Sequence, residues 1–220
     1  MAHRLRADWV MGYDVQTMKL RETGINAVTV AASFQKDPQV LIGHPDFKKM
    51  EDLKSKTLVL SSASMVTFWP WMKTKFGLQD GQVKPNVFLL ADHGWPPYST
   101  TIVCMEKTVK ERPKAVAAFV KASMEGWKKY LTADARAANA LIKKDNPNMT
   151  DDQIANGIAL MKSSGIVFGG DAAKMGVGIV TDARMKTTYD MLVSNKLLDA
   201  KVDYKSTFTD QFVKNLKILP

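Results

Sequence analysis

Short apolar strands alternate with helical segments over the first half of the chain, and the last half is almost wholly helical, which predicts an α/β protein. The run Thr57-Leu58-Val59-Leu60 is typical of a strand buried on both faces. Val116, Phe119, Val120, Ser123, Met124, Trp127, Tyr130 and Leu131 recur at i, i+3, i+4 and i+7, the strongest helical pattern in the chain, so this stripe is expected to be core. With 220 residues, 45% of them apolar, the chain is long enough for a sizeable core in one large or two small domains.

Taken in order, residues 8–23 read as a helix that stops at Gly24, a residue suited to the position after a helix end. Ile25 to Phe34 and Gln39 to Ile42 read as strands, separated by the turn-prone Gln35-Lys36-Asp37-Pro38. Phe47 to Leu53 reads as a polar link with one helical turn. The strand from Lys56 then leads into a helix ending near Gly77, in which Pro70 kinks the helix or marks its start. Asn86 to Leu90 is another short strand. Ala91 to Tyr98 is a loop, because two prolines and a glycine deny it regular pairing, and Ser99 to Met105 returns as a strand. Thr108 and Glu111 have capping-box spacing, and Pro113 suits the first turn of the long helix. Further helices are expected over 134–144, from a Thr150–Gln153 cap to about Ser163, over Asp182 to Asn195, and around Phe208 to Leu216. No internal repeat or low-complexity segment interrupts this order.

Composition removes several classes of function. No run of about 18 apolar residues is present to form a membrane-spanning helix. The opening MAHRLRADWV lacks the apolar stretch of a signal peptide, so an exported form is expected to need a leader outside this sequence. The single Cys104 excludes an intrachain disulfide, and its apolar neighbours predict a buried strand residue. The net charge of +9 is scattered without an aromatic-interleaved basic tract, so a solvated positive surface is expected and nucleic acid is not a partner. There is no G-x-G-x-x-G, no P-loop around Gly169-Gly170, no H-E-x-x-H, no C-x-x-C and no G-x-S-x-G. His3, His44 and His93 lack ligand-spaced partners, so no catalytic residue, metal or cofactor is expected.

The segment KTLVLSSASMVTFWPWMKTK carries the candidate site. A strand ends in Ser61-Ser62-Ala63-Ser64 and an aromatic-rich helix follows. Small hydroxyl residues let a ligand approach the backbone, and a helix start offers unpaired N–H groups and partial positive charge. The rings offer apolar walls. The competing reading is that the serines only cap the helix and the rings are core. On the binding reading the ligand contacts are Ser61, Ser62 and Ser64, with Trp69, Trp9, Phe34 and Tyr98 as aromatic candidates; Trp95 is a further ring.

These motifs, in this order, resemble a known family. Gly24 to Leu60 resembles the A-x-x-F-Q-x-x-P strand-turn, the next strand, and the D-L-K-G-K element of the NMT1/THI5-like substrate-binding proteins of ABC importers for nitrate, sulfonates and thiamine-pyrimidine precursors. Ser55 stands where glycine is usual. Ala91 to Thr101 resembles the family's D-x-G-x-P-x-Y loop and return strand, and Arg112 to Trp127 resembles its P-x-x-V-x-x-F-V-x-A helix. The resemblance covers nearly the whole chain. It implies a periplasmic-binding-protein type II-like fold of two α/β lobes with a helical C-terminal third. One lobe would comprise 1–54 plus about 106–220, and a reduced second lobe about 55–105 with the crossing strands. The usual beginning of the first lobe is not matched, and Leu78 to Pro85 is shorter than the corresponding family segment, so an incomplete first lobe and an internally shortened second lobe are expected.

The resemblance further implies a non-catalytic protein, periplasmic or extracellular at the membrane, that binds a small organic or anionic solute in the cleft for an ABC permease. Two alternatives stay open: a degenerate member without ligand binding, and a synthase-like enzyme, which a single cysteine does not favour.

Overall fold

The computed structural model describes residues 8–42, 46–53, 68–77 and 87–219. They form a mixed α/β structure with a small antiparallel sheet. The strands are β1 (Trp9–Gly12), β2 (Ala27–Phe34), β3 (Val40–Ile42), β4 (Val87–Leu89) and β5 (Ser99–Met105). The helices are α1 (Asp14–Glu22), α2 (Phe68–Phe76), α3 (Glu106–Glu111), α4 (Pro113–Thr132), α5 (Arg136–Asp145), α6 (Asp151–Ser163), α7 (Ala172–Met175) and α8 (Asp182–Ser194). Single 3-10 turns occupy Met50–Leu53, Leu90–His93 and Tyr204–Thr207.

The main sheet has the order β1-β5-β2, with β5 antiparallel to both neighbours, so β1 and β2 point the same way. Trp9 lies opposite Cys104 and Gly12 opposite Thr101; Ala27 lies opposite Met105 and Phe34 opposite Ser99. A bulge between Thr29 and Ala31 shifts the alternation of β2. A separate ribbon pairs β3 with β4.

β2 is buried along most of its length because helices cover both faces. On one side Val28, Val30 and Ala31 pack in a cluster with Val116, Val120 and Met124 of α4. On the other, the Thr29 hydroxyl donates to Thr17 of α1 at 3.1 Å. Small residues in AVTVAASF allow both helices to come close. Its outer edge is bridged by Gly178 and by Phe208. Gly178 has φ +89, and a Cβ there would fall 2.2 Å from the Met124 sulfur. A second cluster gathers Leu41, Met50, Leu53, Phe68, Trp69, Trp71, Met72, Phe76, Leu90 and Trp95. A third joins α1 to α8 through Val15, Met18, Tyr98, Met185 and Leu192.

Several expected elements take this form. α4 starts with Pro113 in its first turn, and α6 has the full Thr150–Gln153 capping box. Gly24 sits at φ +82 just past α1. Cys104 is a buried strand residue, and burial pushes its thiol up to about 11. Four readings need correction. Residues 8–23 are not one helix: Trp9–Gly12 pairs with β5, where an aromatic and a β-branched residue suit the pleated surface, and the helix begins only at Asp14. Thr108 caps nothing, because β5 runs straight into α3 at Glu106 and places Thr108 inside it. Phe208 to Leu216 forms bonded turns after the Tyr204–Thr207 3-10 turn rather than a helix. Phe119, expected in the core stripe, is 40% exposed and stacks on Trp9 at the sheet margin. The strand from Lys56 and the serines that follow it lie outside the described residues.

Candidate functional site

Because β1 and β2 run in the same direction, their carboxyl ends, Gly12 and Phe34, meet the amino end of β5 at Ser99 on one edge of the sheet. Binding residues are commonly carried on loops that a rigid sheet brings together at one end. Here the converging segments are Gly12 to Asp14, Phe34 to Asp37 and Trp95 to Thr100, joined from the C-terminal third by Asp171 and Thr181 to Arg184.

Asp14, the first residue of α1, is fully buried. Its carboxylate accepts the N–H of Val15 at 2.6 Å and that of Tyr98 at 2.8 Å. Burial pushes its carboxyl up to about 7, against the opposing pull of those two N–H groups and of the Arg184 cation. Tyr98 is also fully buried. Its hydroxyl donates to Asp171 at 3.2 Å and accepts the Thr181 N–H at 3.2 Å. Burial pushes the phenol up to about 12. The Thr181 hydroxyl donates to the same Asp171 oxygen at 3.1 Å and accepts the Arg184 N–H at 3.4 Å, capping α8.

Arg184 ties these loops together. Its guanidinium lies 4.3 Å from the Tyr98 ring centroid. Nε donates to the Pro96 carbonyl at 2.8 Å, and Nη2 donates to the carbonyls of Gln35 and Pro97. Gln35 is buried and donates from Nε2 to Ala32 and Ile179, at 3.3 and 3.0 Å, while its Oε1 has no partner among the described residues. Asp37 accepts the Trp95 indole N–H at 3.0 Å and two bonds from Gln39; burial raises its pKa. The outgoing segment after β2 and the returning segment before β5 are thus bonded to one another and to the start of α8.

At the same edge Thr100 sits at φ 50, inside β5, between the Phe34–Ser99 and Gly12–Thr101 pairings. A β-branched residue at positive φ is a strained position of the kind that clusters at binding sites. Asp14, Asp37 and Tyr98 are buried, Asp171 and Arg184 are half-buried, and each is committed to hydrogen bonds within this network. They are arranged to hold loops in place. Among the described residues no group of three His, Cys, Asp or Glu side chains is placed to hold a metal ion, and no helix is long and apolar enough to cross a membrane.

The sequence-derived candidates are distributed unevenly around this edge. Phe34 ends β2 at the edge, half-buried, with its ring 5.1 Å from that of Trp127 in an edge-on contact. Tyr98 is at the edge as well, but its ring is enclosed and its hydroxyl already bonded. Trp69 is buried in the second cluster, where Lys73 Nζ lies 5.7 Å from its ring. Trp9 stands at the opposite end of β1, stacked on Phe119 at 4.9 Å with Arg112 over its ring. Ser61, Ser62 and Ser64 lie outside the described residues. Sequence reasoning missed Asp14, Arg184, Gln35, Asp171, Thr181 and Thr100. Asp14 was hidden by the assumed continuous helix over 8–23; a Gly-x-Asp following a short apolar run was the available signal. Arg184 gives no signal in sequence, because its partners lie 87 to 149 residues away.

The architecture is that of a known bacterial fold. A solved structure of a protein from Bordetella bronchiseptica RB50 superposes with a TM-score of 0.57 at 15% identity, over 96% of this chain and 80% of its own. At that identity the likeness concerns the fold alone. The family described as NMT1/THI5 like matches residues 62–137, from the serine segment through α4, which bears out the resemblance read from the motifs. That family includes ABC solute-binding proteins. No curated protein matches the chain.

Proposed function

We propose that this chain is a non-catalytic binding protein that takes a small organic or anionic solute at the carboxyl edge of the main sheet and presents it to an ABC permease. The observation that carries this reading is the bonded junction of Gln35, Pro96, Pro97, Asp14 and Tyr98 around Arg184. It holds the two chain crossings of a two-lobed protein at a fixed spacing, which is what a hinge about a cleft needs. On this reading, 1–54 with about 106–220 form one lobe and about 55–105 the second, and the cluster that joins Leu41, Met50 and Leu53 to Trp69, Trp71 and Trp95 packs across that division. Ser61, Ser62 and Ser64 supply hydroxyl and N–H groups to the solute, and Phe34 supplies an apolar wall. Tyr98 and Trp69 support the cleft from behind, and Trp9 steadies the far end of β1. The permease partner and an extracytoplasmic setting follow from the family likeness.

Titration of the five tryptophans' fluorescence with sulfonates, nitrate, aminopyrimidines and aromatic carboxylates tests this proposal. A saturable change is expected with one of these classes. In the Ser62→Ala/Ser64→Ala variant the affinity for that solute drops about tenfold or more, the loss of one or two hydrogen bonds to a charged group. Unchanged affinity in that variant sinks the assignment.

A further inference from the structure

We propose that the point over Gly170, between Gln35 and Arg184, is a subsite that takes a neutral carboxamide group of the solute in preference to an anion; this rests on the reading of the carboxyl edge as a solute site. Gln35 offers the acceptor. Its side chain is fully buried, and both Nε2 hydrogens are used, on the Ala32 and Ile179 carbonyls. Those two carbonyls fix which way the amide points, so the Oε1 atom can only accept. It has no partner among the described residues. A buried acceptor left unpaired is costly and rare in folded proteins. Arg184 offers the donor. Its Nε and Nη2 are held by the carbonyls of Pro96, Gln35 and Pro97, while Nη1 makes no hydrogen bond among the described residues. Because the guanidinium is planar, the bonds on its other nitrogens hold Nη1 in place as well.

Gly170 brings the two together. A Cβ on this residue would stand 3.5 Å from Arg184 Nη1, 3.7 Å from Gln35 Cβ and 4.0 Å from Gln35 Oε1. Gly170 has φ +55, which glycine adopts freely, and it is exposed. The missing side chain leaves an approach from solvent to a donor and an acceptor that lie side by side. That pairing decides the chemistry. A carboxamide donates an N–H to Oε1 and accepts from Nη1 through its carbonyl, so both protein groups are satisfied. A carboxylate, sulfonate or nitrate only accepts. It pairs with Nη1 and leaves Oε1 unpaired, with oxygen facing oxygen. The charge of Arg184 does not reverse this preference. Asp171 follows Gly170 directly in the chain, and Asp171, Asp14 and Asp37 all lie in the network around the guanidinium.

Isothermal titration of the chain with benzamide and with benzoate, two probes that differ only in carboxamide against carboxylate, tests the proposal. Benzamide is expected to bind saturably and about tenfold or more tighter than benzoate, the change expected for roughly one hydrogen bond. Gly170→Asn introduces a residue that tolerates positive φ and brings its own carboxamide to this point. It is expected to melt cooperatively and to abolish benzamide binding. The two probes on the wild-type chain decide the matter even where that variant does not fold. Benzamide that fails to bind, or binds no tighter than benzoate, overturns the subsite, as does benzamide binding that a folded Gly170→Asn leaves unchanged. A saturable response to another solute would then leave the reading of the edge standing. If neither probe and none of the sulfonates, nitrate, aminopyrimidines or other aromatic carboxylates binds, both fall.

Discussion

Asp14 is a carboxyl whose protonation is decided by burial more than by its partners. Its pKa is raised from 3.8 to about 7 in the folded chain, with burial the largest cause. The folded state therefore holds this proton more tightly than the unfolded state does. Its stabilising effect is complete below about 4 and is lost as pH rises through about 7. Asp37, also raised by burial, acts in the same direction. Thermal melts of the wild-type chain should fall between these limits, and Asp14→Asn, which does not titrate, should show a flatter profile over the same range. Identical profiles for the two proteins would show that Asp14 is not held as described. Arg184 is the second critical side chain. Arg184→Ala removes donors to three carbonyls and the cation over Tyr98, with an expected loss of about 2–4 kcal/mol in denaturant melts. A loss below about 0.5 kcal/mol, the range of ordinary surface substitutions, would mean that the junction does not depend on it.

At the scale of elements, legibility followed locality. α4 and α6 were readable because their signals, a 3.6-residue apolar stripe and a Thr–Gln capping box, sit within a few residues of each other. β1 was not readable, because four residues set before a helix look like its first turn until β5, about 90 residues on, supplies the pairing. The turns after Tyr204 were misread for the same reason: Thr209 is held by the Thr29 carbonyl, a contact that no local pattern announces. The packing of α4 on the sheet makes a further prediction. Gly178 combines φ +89 with a Cβ position overlapping the Met124 side chain. Gly178→Ala should destabilise by about 2–3 kcal/mol in denaturant melts, from backbone strain together with overpacking. A neutral substitution would show that the β2 margin is looser than the bridge to Ala32 implies.

For the molecule as a whole, the α/β class and the likeness to the NMT1/THI5-like family were legible from motif order, although each motif is only moderately specific. Of the candidates named from the sequence, Phe34 and Tyr98 lie at the carboxyl edge of the main sheet, while Ser61, Ser62 and Ser64 fall outside the described residues. The sequence pointed to hydroxyls and rings around Ser61 to Trp71, while the Arg184-centred junction arises from residues scattered between positions 14 and 184. That junction lets the proposed function be framed as a hinge and not only as a pocket. The central claim, that the carboxyl edge of this sheet belongs to a solute-binding cleft, is tested most directly by a thermal-melt screen of the purified chain against sulfonates, nitrate, aminopyrimidines and aromatic carboxylates. A true ligand at about 100 times its dissociation constant adds roughly 2.7 kcal/mol. At this chain length that raises the melting temperature by about 5–10 °C. The account predicts such a shift with one solute class and its loss in Ser62→Ala/Ser64→Ala. A cooperative melt that none of these solutes moves would contradict it.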